Sequence, residues 1–306
     1  MLHGFLKMVG GIKWIQRIAS GARSWSDIVT SSDGKKLIAA VNIGYIYNSF
    51  DGGITWSERG VSKIWVKLAA SSDGTKVVGV IGTVADKVYT SSDSGNTWIS
   101  QTGSYSNTYN SVACSSNGSI IIALPVLNKN IYYSTNSGVT WVELYMGLPN
   151  DINWGGVACS DDASKVYLLY YYSGTEYIRL STTGVSGSYT IKYSSTTISF
   201  SAIDCSGDGS KVVVCSPSSK LILFSSNYGT TWVKRGDDLA WIDITISNDG
   251  STIVALEDTG NIYVSTDDGV NWSKQEDAKN WNSIAASSNG SFLAATVSNE
   301  YIYTNK

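Results

Sequence analysis

An octet of residues repeats along this 306-residue sequence, and it constrains the fold more than any other feature. It reads Ser-x-Asp/Asn-x-Gly-x-Thr/Asn-Trp and occurs at 49–56, 91–98, 134–141, 225–232 and 265–272. An Asp or Asn side chain accepts hydrogen bonds from backbone N–H groups just after it, while Gly adopts backbone conformations that other residues avoid. Each octet therefore predicts a tight turn followed by a strand whose Trp ring can be buried.

The octet resembles the Asp box, also called the bacterial neuraminidase repeat, and the resemblance covers nearly the whole chain. Proteins with such boxes include sialidases, xyloglucan-degrading glycosidases, the sorting-receptor domain of sortilin and a photosystem II assembly factor. The resemblance therefore implies a β-propeller and no particular activity. The structural positions that it implies are Asp51 and Trp56, Asp93 and Trp98, Asn136 and Trp141, Asn227 and Trp232, and Asp267 and Trp272.

A second repeat fixes the expected number of blades. Seven aromatic residues each stand eight positions before an Asp or Asn in a Ser-Asp-Gly-like turn, and each pair opens a segment with four strand-like stretches. We therefore expect an all-β fold, a seven-bladed β-propeller of four-stranded antiparallel blades. The leading aromatics are Trp25, Trp65, Tyr109, Trp154, Phe200, Trp241 and Trp281. The predicted blades are about 24–60, 61–103, 104–147, 148–194, 195–236, 237–277, and 278–306 plus 11–18.

The last repeat stops before its fourth strand, and the missing strand is predicted at the other end of the chain. Gly11-Ile-Lys-Trp14-Ile-Gln-Arg17 matches Gly53-Ile-Thr-Trp56-Ser-Glu-Arg59. The N-terminal segment should thus complete the last blade, close the ring and remove an exposed sheet edge. The alternative, six blades with a ragged end, leaves two half-blades unpaired.

The class of protein is restricted by the length, composition and charge of the sequence. The periodicity favours one domain over residues 1–306, although length alone would suggest two. A net charge of −3 argues against nucleic acid or anionic lipid as a partner, and no apolar run is long enough to span a membrane. The first eleven residues lack the apolar region of a signal peptide. We expect a soluble monomer, compatible with the cytoplasm, with no membrane partner.

The cysteines and the single histidine predict neither a metal site nor a cofactor. Cys114, Cys159 and Cys205 occupy one equivalent position in successive repeats, where a small buried residue is favoured over a disulfide or a metal ligand. Cys215 lies in a neighbouring strand and makes no CxxC spacing. With only His3 available, a zinc site based on histidine is excluded.

The predicted fourth blade departs most from the repeat, and we expect a binding patch there. Its octet is lost at 181–189, and its connections are the longest. We name the strands of a blade a to d from channel to rim, so that the d-to-a and b-to-c connections share one face, on which propellers usually bind ligands. The alternative is that these tyrosines, like the leading aromatics, pack blade against blade. The candidates are Tyr145, Met146, Trp154, Tyr170, Tyr171, Tyr172 and Tyr177.

An enzyme is the less favoured interpretation. The resemblance to sialidases would require three converging arginines, but Arg17, Arg59 and Arg235 follow octet-type Trp residues on outer strands. A glycosidase needs only two carboxylates, and Asp27, Asp204 and Asp243 on inner strands are the catalytic candidates. Solvated channel lining is the alternative for all three.

The sequence thus predicts a non-catalytic module that binds a glycan or a protein partner on the face with the d-to-a and b-to-c connections. Two alternatives stay open, a glycoside hydrolase that uses the channel carboxylates and an assembly or scaffold factor.

Overall fold

The computed structural model describes residues 13–83, 86–126, 129–275 and 278–306, and these residues form an all-β propeller. The second strand of each repeat is mainly apolar, and in Leu37–Val41 and Val77–Ile81 every residue is apolar or glycine and buried. Both faces of such a strand are covered, because sheets pack on either side of it. Radial stacking of sheets therefore generates a separate hydrophobic cluster between each pair of neighbours.

The strands follow one another in chain order around the ring. The first five are β1 (Ile15–Arg17), β2 (Arg23–Thr30), β3 (Leu37–Val41), β4 (Gly44–Ser49) and β5 (Ser57–Lys63), with one 3₁₀ turn at Ile18–Ser20. Blade A contains β6 (Trp65–Ala70), β7 (Val77–Ile81), β8 (Tyr89–Ser91) and β9 (Ile99–Ser100). Blade B contains β10 (Tyr109–Cys114), β11 (Ile121–Pro125), β12 (Ile131–Ser134) and β13 (Val142–Leu144).

The remaining strands continue the same order. Blade C contains β14 (Asn153–Cys159), β15 (Val166–Tyr172), β16 (Thr175–Ser181) and β17 (Tyr189–Ser195). Blade D contains β18 (Ala202–Cys205), β19 (Val212–Ser216), β20 (Leu221–Ser225) and β21 (Val233–Arg235). Blade E contains β22 (Trp241–Ile246), β23 (Ile253–Glu257), β24 (Ile262–Ser265) and β25 (Ser273–Lys274). The chain ends with β26 (Trp281–Ala286), β27 (Leu293–Glu300) and β28 (Ile302–Thr304).

The prediction of seven separate four-stranded blades is wrong. Within the described residues, the structure has five blades of four strands, and the other eight strands form one continuous sheet in the order β1-β28-β27-β2-β3-β4-β5, with β26 on β27. The junction is the pairing of Arg23 with Glu300 and of Ser24 with Ser298. It forms because β2 and β27 are each eight residues long and overrun the usual blade edge. We call this the closing sheet.

The two ends of the chain meet in the closing sheet. β1 pairs antiparallel with β28, with Ile15 opposite Thr304 and Arg17 opposite Ile302. Trp14 is 7% exposed and packs on Trp281 at 6.0 Å between ring centroids. The N-terminal strand thus covers the outer edge of β28. Residues 11 and 12 of the matching segment lie outside the described residues.

The turns between first and second strands join into a ring around the channel. Ser32 N–H donates to the Ser72 carbonyl at 2.7 Å, Ser72 N–H donates to the Ser116 carbonyl, and the series continues until Ser288 N–H donates to the Ser32 carbonyl at 3.1 Å. The other turns in the series contribute Asp161, Gly207, Asn248 and Asp249. This ring and the octets lie on one face, which we call the turn face. The opposite face, with the b-to-c and d-to-a connections, is the loop face.

No helix among the described residues is long and apolar enough to cross a membrane.

Candidate binding face and central channel

The octets satisfy their own polar groups. Ser49 Oγ donates to Asp51 Oδ1 at 2.8 Å and accepts from the Gly53 N–H at 2.9 Å. The same carboxylate accepts from the Thr55 N–H at 2.8 Å, and Trp56 Nε1 donates to the Gly53 carbonyl at 2.9 Å. Burial opposes ionisation, but bonds from Thr55 and Ser49 outweigh it and hold the pKa of Asp51 below its usual range. The octet is therefore a structural turn.

The leading aromatics lie in the core, where they join the octets to the inner strands. Trp65 is fully buried, and its ring lies 5.4 Å from that of Tyr89 and 5.5 Å from that of Trp98. Trp241 makes the same contacts with Tyr263 and Trp272, at 5.2 and 5.8 Å. Since these indoles are enclosed by aromatic neighbours of their own sheet, they form no platform at the channel mouth.

The outer arginines bind neighbouring turns. Arg59 Nε donates to Asn96 Oδ1 at 3.1 Å, and Arg235 Nε donates to the Asp268 carbonyl at 2.9 Å. In each case the arginine follows one octet and contacts the octet of the next sheet. These two arginines therefore fasten sheets together at the rim and face away from the channel.

Three of the predicted patch residues form an internal aromatic stack in blade C. Tyr170 is 2% exposed, and its ring stacks on Tyr177 with 4.9 Å between centroids and 13° between planes. Trp154, also 2% exposed, meets the Tyr170 ring edge-on at 5.6 Å. Arg179 lies over the same ring at 5.5 Å. The structure places Trp154 and Tyr170 in the packing between blades B and C, with Tyr177 half-buried beside them.

Two patch residues project from the loop face. Tyr145, in the connection between β13 and β14, is 67% exposed and has Lys129 Nζ 5.2 Å from its ring centroid. Tyr171 is 42% exposed and points to the other side of blade C from Tyr170, because neighbouring residues of a strand alternate. Met146 and Tyr172 pack partly buried against the aromatic stack. The surface of the patch is thus smaller than the sequence suggests.

The long b-to-c connection of blade C is an extended hairpin. β15 and β16 each have seven residues and pair from Val166 with Ser181 to Tyr172 with Thr175. Only Ser173 and Gly174 lie between them, both at positive φ, which is the geometry of a tight hairpin turn. The tyrosines therefore stand on a rigid ribbon, where we expected a loop.

Sequence reasoning missed Glu176, which faces Tyr171 across this hairpin. Its side chain is 6% exposed and accepts a hydrogen bond from Ser199 Oγ at 3.4 Å. Burial raises the pKa of this carboxyl to about 7. A signal was present in the sequence, since Glu176 is the one acid in β15 and β16, a ribbon rich in apolar and aromatic residues.

The channel contains a cavity of about 460 Å³ lined by the inner strands of all sheets. Asp27, 3% exposed, accepts hydrogen bonds from the Leu68 N–H at 2.7 Å and from Ser283 Oγ at 2.7 Å, and it pairs with Lys67 Nζ at 3.1 Å. Burial disfavours the ammonium, but the carboxylates of Asp27 and Asp243 outweigh burial and raise the pKa of Lys67. Asp27 therefore holds β2, β6 and β26 together.

The other two channel aspartates bind their neighbouring sheets in a similar way. Asp243 accepts from the Ile284 N–H at 3.1 Å, and Asp204 accepts from Thr245 Oγ1 at 2.8 Å and from the Ile246 N–H at 3.0 Å. Burial raises the pKa of both carboxyls, to about 6 for Asp204. Each carboxylate thus accepts a backbone hydrogen that would otherwise be unsatisfied.

The cysteines and the turn ring complete the channel wall. Cys114, Cys159 and Cys205 are free thiols that line the channel, and burial raises the pKa of Cys114 to about 12. At the turn face, Asn248 Nδ2 donates to Asp161 Oδ1 at 2.7 Å across Gly207. No group of three or more His, Cys, Asp or Glu side chains within the described part of the chain could hold a metal ion. His3 lies outside that part.

Comparisons with known proteins support the fold and leave the ligand open. No protein-family model matches the sequence, and no curated protein is significantly similar to it. YCF48 from Cyanidioschyzon merolae is similar in structure, with 15% identity, a TM-score of 0.72, and 95% of this chain and 98% of that chain covered. Hydrazine synthase from Kuenenia stuttgartiensis has 11% identity, a TM-score of 0.74 and 98% of each chain covered.

A structure of YCF48 bound to a D1 peptide is also similar, with 13% identity, a TM-score of 0.71 and 95% of each chain covered. At these identities the comparisons establish a shared propeller fold. The assignment of the octets to the Asp-box family stays a prediction, although their hydrogen bonds are those expected of the motif.

Proposed function

We propose that this chain is a non-catalytic recognition module that binds a protein partner through its loop face. The carrying observation is the exposure of Tyr145 and Tyr171 there, at 67% and 42%. Amphipathic rings held on rigid backbone lose little entropy on binding and commonly provide the energetic centre of protein interfaces. On the turn face, the octets use their polar groups in internal hydrogen bonds.

Aliphatic residues on the loop face favour a protein over a glycan. Ile43, in the turn between β3 and β4, is 72% exposed and has φ of 57°. A β-branched residue seldom adopts that conformation, and such strain is concentrated at functional sites. Ile18 is 71% exposed in the connection from β1 to β2 at the same face, and Val61 is 47% exposed in the second half of β5. Bare aliphatic surface suits apolar side chains of a partner and offers a sugar no hydrogen bonds.

The similar YCF48 structure that contains a D1 peptide supports the proposal only as an example of a propeller with a bound peptide. The test is a peptide-display selection against the purified chain, followed by affinity measurements on variants. Tyr145→Ser and Tyr171→Ser should each weaken a selected peptide about tenfold or more. The matched control is Tyr228→Ser, which removes a 39% exposed tyrosine from the turn face. Peptides that bind all variants equally would contradict the proposal, and a glycan array on the same protein tests the sugar alternative.

A glycoside hydrolase is the second candidate, because one observation favours it. Asp204 has its pKa raised to about 6 and faces the open channel cavity together with Asp243. A perturbed carboxyl beside a second one is the arrangement that general acid catalysis requires. A hydrolysis screen with Asp204→Asn as control separates the two candidates, since turnover that this substitution abolishes would favour the enzyme.

A further inference from the structure

A second cavity lies between blades A and B, at the rim on the turn-face side. It has a volume of about 210 Å³, and apolar side chains of Val77, Ile99, Ile121 and Val139 line it. Ile99 is 61% exposed and Val139 is 66% exposed, so the cavity opens to solvent at the rim. We call it the A/B groove.

One ammonium group lies in this apolar groove. Lys76 lines the cavity and is half-buried, and its Nζ donates to Ser137 Oγ at 3.0 Å. Among the ion pairs of the described residues, none includes Lys76. Cys114 also lines the groove, but burial raises its pKa to about 12, so its thiol supplies no anion at neutral pH. The ammonium group of Lys76 therefore donates to a hydroxyl and forms no ion pair with a described carboxylate.

The equivalent lysine between blades D and E has a carboxylate partner. Lys211 stands three residues after turn residue Asp208, as Lys76 stands three after Asp73, and its Nζ contacts Asp268 Oδ1 at 2.6 Å. Asp268 precedes its octet glycine, as Ser137 does, and the two have the same backbone conformation, with φ of 59° and 58°. This octet position can therefore hold a carboxylate that pairs with the lysine, and the A/B groove has Ser137 there.

We infer that the A/B groove is a binding site for an aliphatic monocarboxylate, whose carboxylate pairs with Lys76 while its chain lies between Ile99 and Val139. A charge-assisted hydrogen bond from an ammonium supplies orientation, and burial of methylene groups supplies most of the affinity. The volume is small for a ligand pocket and suits a chain of medium length. This inference does not depend on the proposed function, because the groove lies at the rim on the turn-face side.

The test measures octanoate binding by calorimetry to the purified chain and its variants. Ser137→Asp should abolish binding, because it gives Lys76 the internal carboxylate that Lys211 already has. Lys76→Met keeps an unbranched side chain against Gly118 but removes the charge, and should weaken octanoate about tenfold or more. Lys211→Met is the matched control and should bind octanoate as the parent does.

Binding of octan-1-ol separates the contribution of the ligand's carboxylate from that of its aliphatic chain. It should bind the parent at least about tenfold more weakly than octanoate and should be indifferent to Lys76→Met. The inference is overturned if the parent binds no octanoate at millimolar concentration, if Ser137→Asp retains binding, or if the alcohol binds as well as the acid. Thermal unfolding of each variant verifies that it is folded. We expect Ser137→Asp to fold, because Asp268 adopts the same backbone conformation at the equivalent octet position.

Discussion

At the scale of single residues, Asp and Asn are interchangeable in the turns of this protein. Both Asp73 and Asn117 follow a serine by two positions, accept its Oγ hydrogen and accept a backbone N–H two residues on. One oxygen with the right orientation is sufficient for these bonds. The difference between the two residues is therefore the charge, and the charge makes stability depend on pH.

The first prediction concerns Asp73. Hydrogen bonds from Ser71 and from the Thr75 backbone lower its pKa to about 2. A carboxyl with a lowered pKa stabilises the fold above its unfolded value near 4, and that contribution is lost as the pH falls towards 2. Asp73→Asn should leave stability at pH 7 nearly unchanged and flatten the loss below pH 4. Asp73→Ala should cost about 1 to 3 kcal/mol at pH 7. Urea unfolding at pH 7, 4 and 3 measures both, and equal acid sensitivity of the Asn variant and the parent would refute the assignment.

The second prediction concerns Glu176, whose effect on the pH dependence of stability is opposite to that of Asp73. Burial raises the pKa of Glu176 to about 7, so the folded state holds a proton that the unfolded chain releases above pH 4.5. Stability should therefore fall as the pH rises from about 4.5 to 7, and then level off. Glu176→Gln should remove that fall and gain about 1 kcal/mol at pH 8, after allowance for solvent screening. A Glu176→Gln variant that is less stable than the parent at pH 8 would contradict this, and Glu143→Gln on an exposed outer strand is the control.

At the scale of elements, the sequence predicts strand positions well and sheet boundaries less well. The innermost strand of each repeat begins at its leading aromatic or within two residues of it and ends at a turn, because aromatic and apolar runs alternate with Asp-Gly signals. Pairing between sheets has no such signal. Nothing in Arg23 or Ser24 indicates that these residues pair with Glu300 and Ser298, because that contact depends on how far two distant strands extend.

The candidate site was predictable to a similar extent. The repeat identified blade C as exceptional, but only the strand direction decides that Tyr170 packs inside while Tyr171 faces solvent. The A/B groove has a sequence signal, since Ser137 aligns with Asp268 and Lys76 with Lys211. The signal has meaning only once the structure reveals that each pair meets across two neighbouring blades.

The third prediction tests the joining of the two chain ends. Removal of residues 1–17 deletes β1, leaves the edge of β28 open and takes Trp14 from Trp281. Loss of a buried Trp alone costs about 3 to 5 kcal/mol, and an open strand edge promotes aggregation. We expect the truncated chain to melt roughly 10 °C or more below the parent. We also expect it to self-associate, which gel filtration would detect. Removal of residues 1–12, which keeps every described residue, is the reference truncation, so equal behaviour of the two truncations would count against the joining role.

At the scale of the whole molecule, the turn ring connects all sheets through their backbones. Each turn accepts a backbone hydrogen bond from one neighbouring turn and donates one to another, so it is bonded to both of its neighbours. Four of its positions are serines, at 32, 72, 116 and 288. The ring departs from this pattern at Asp161, Gly207 and Asn248, where a side-chain hydrogen bond crosses the glycine.

The fourth prediction uses this departure to measure how strongly the ring couples its turns. A Cβ at position 207 would lie 2.4 Å from Asn248 Oδ1 and 2.6 Å from Nδ2, so Gly207→Ser must displace the amide from Asp161. The single variant should lose about 1 to 3 kcal/mol in urea unfolding, as crowded substitutions do. Adding Asn248→Ser removes the obstruction and restores the serine arrangement of the four other turns, so the double variant should recover most of the loss. Since the two residues belong to different blades, a coupling energy near zero would mean that the turns act independently, and the ring would then be a consequence of the propeller and not one of its causes.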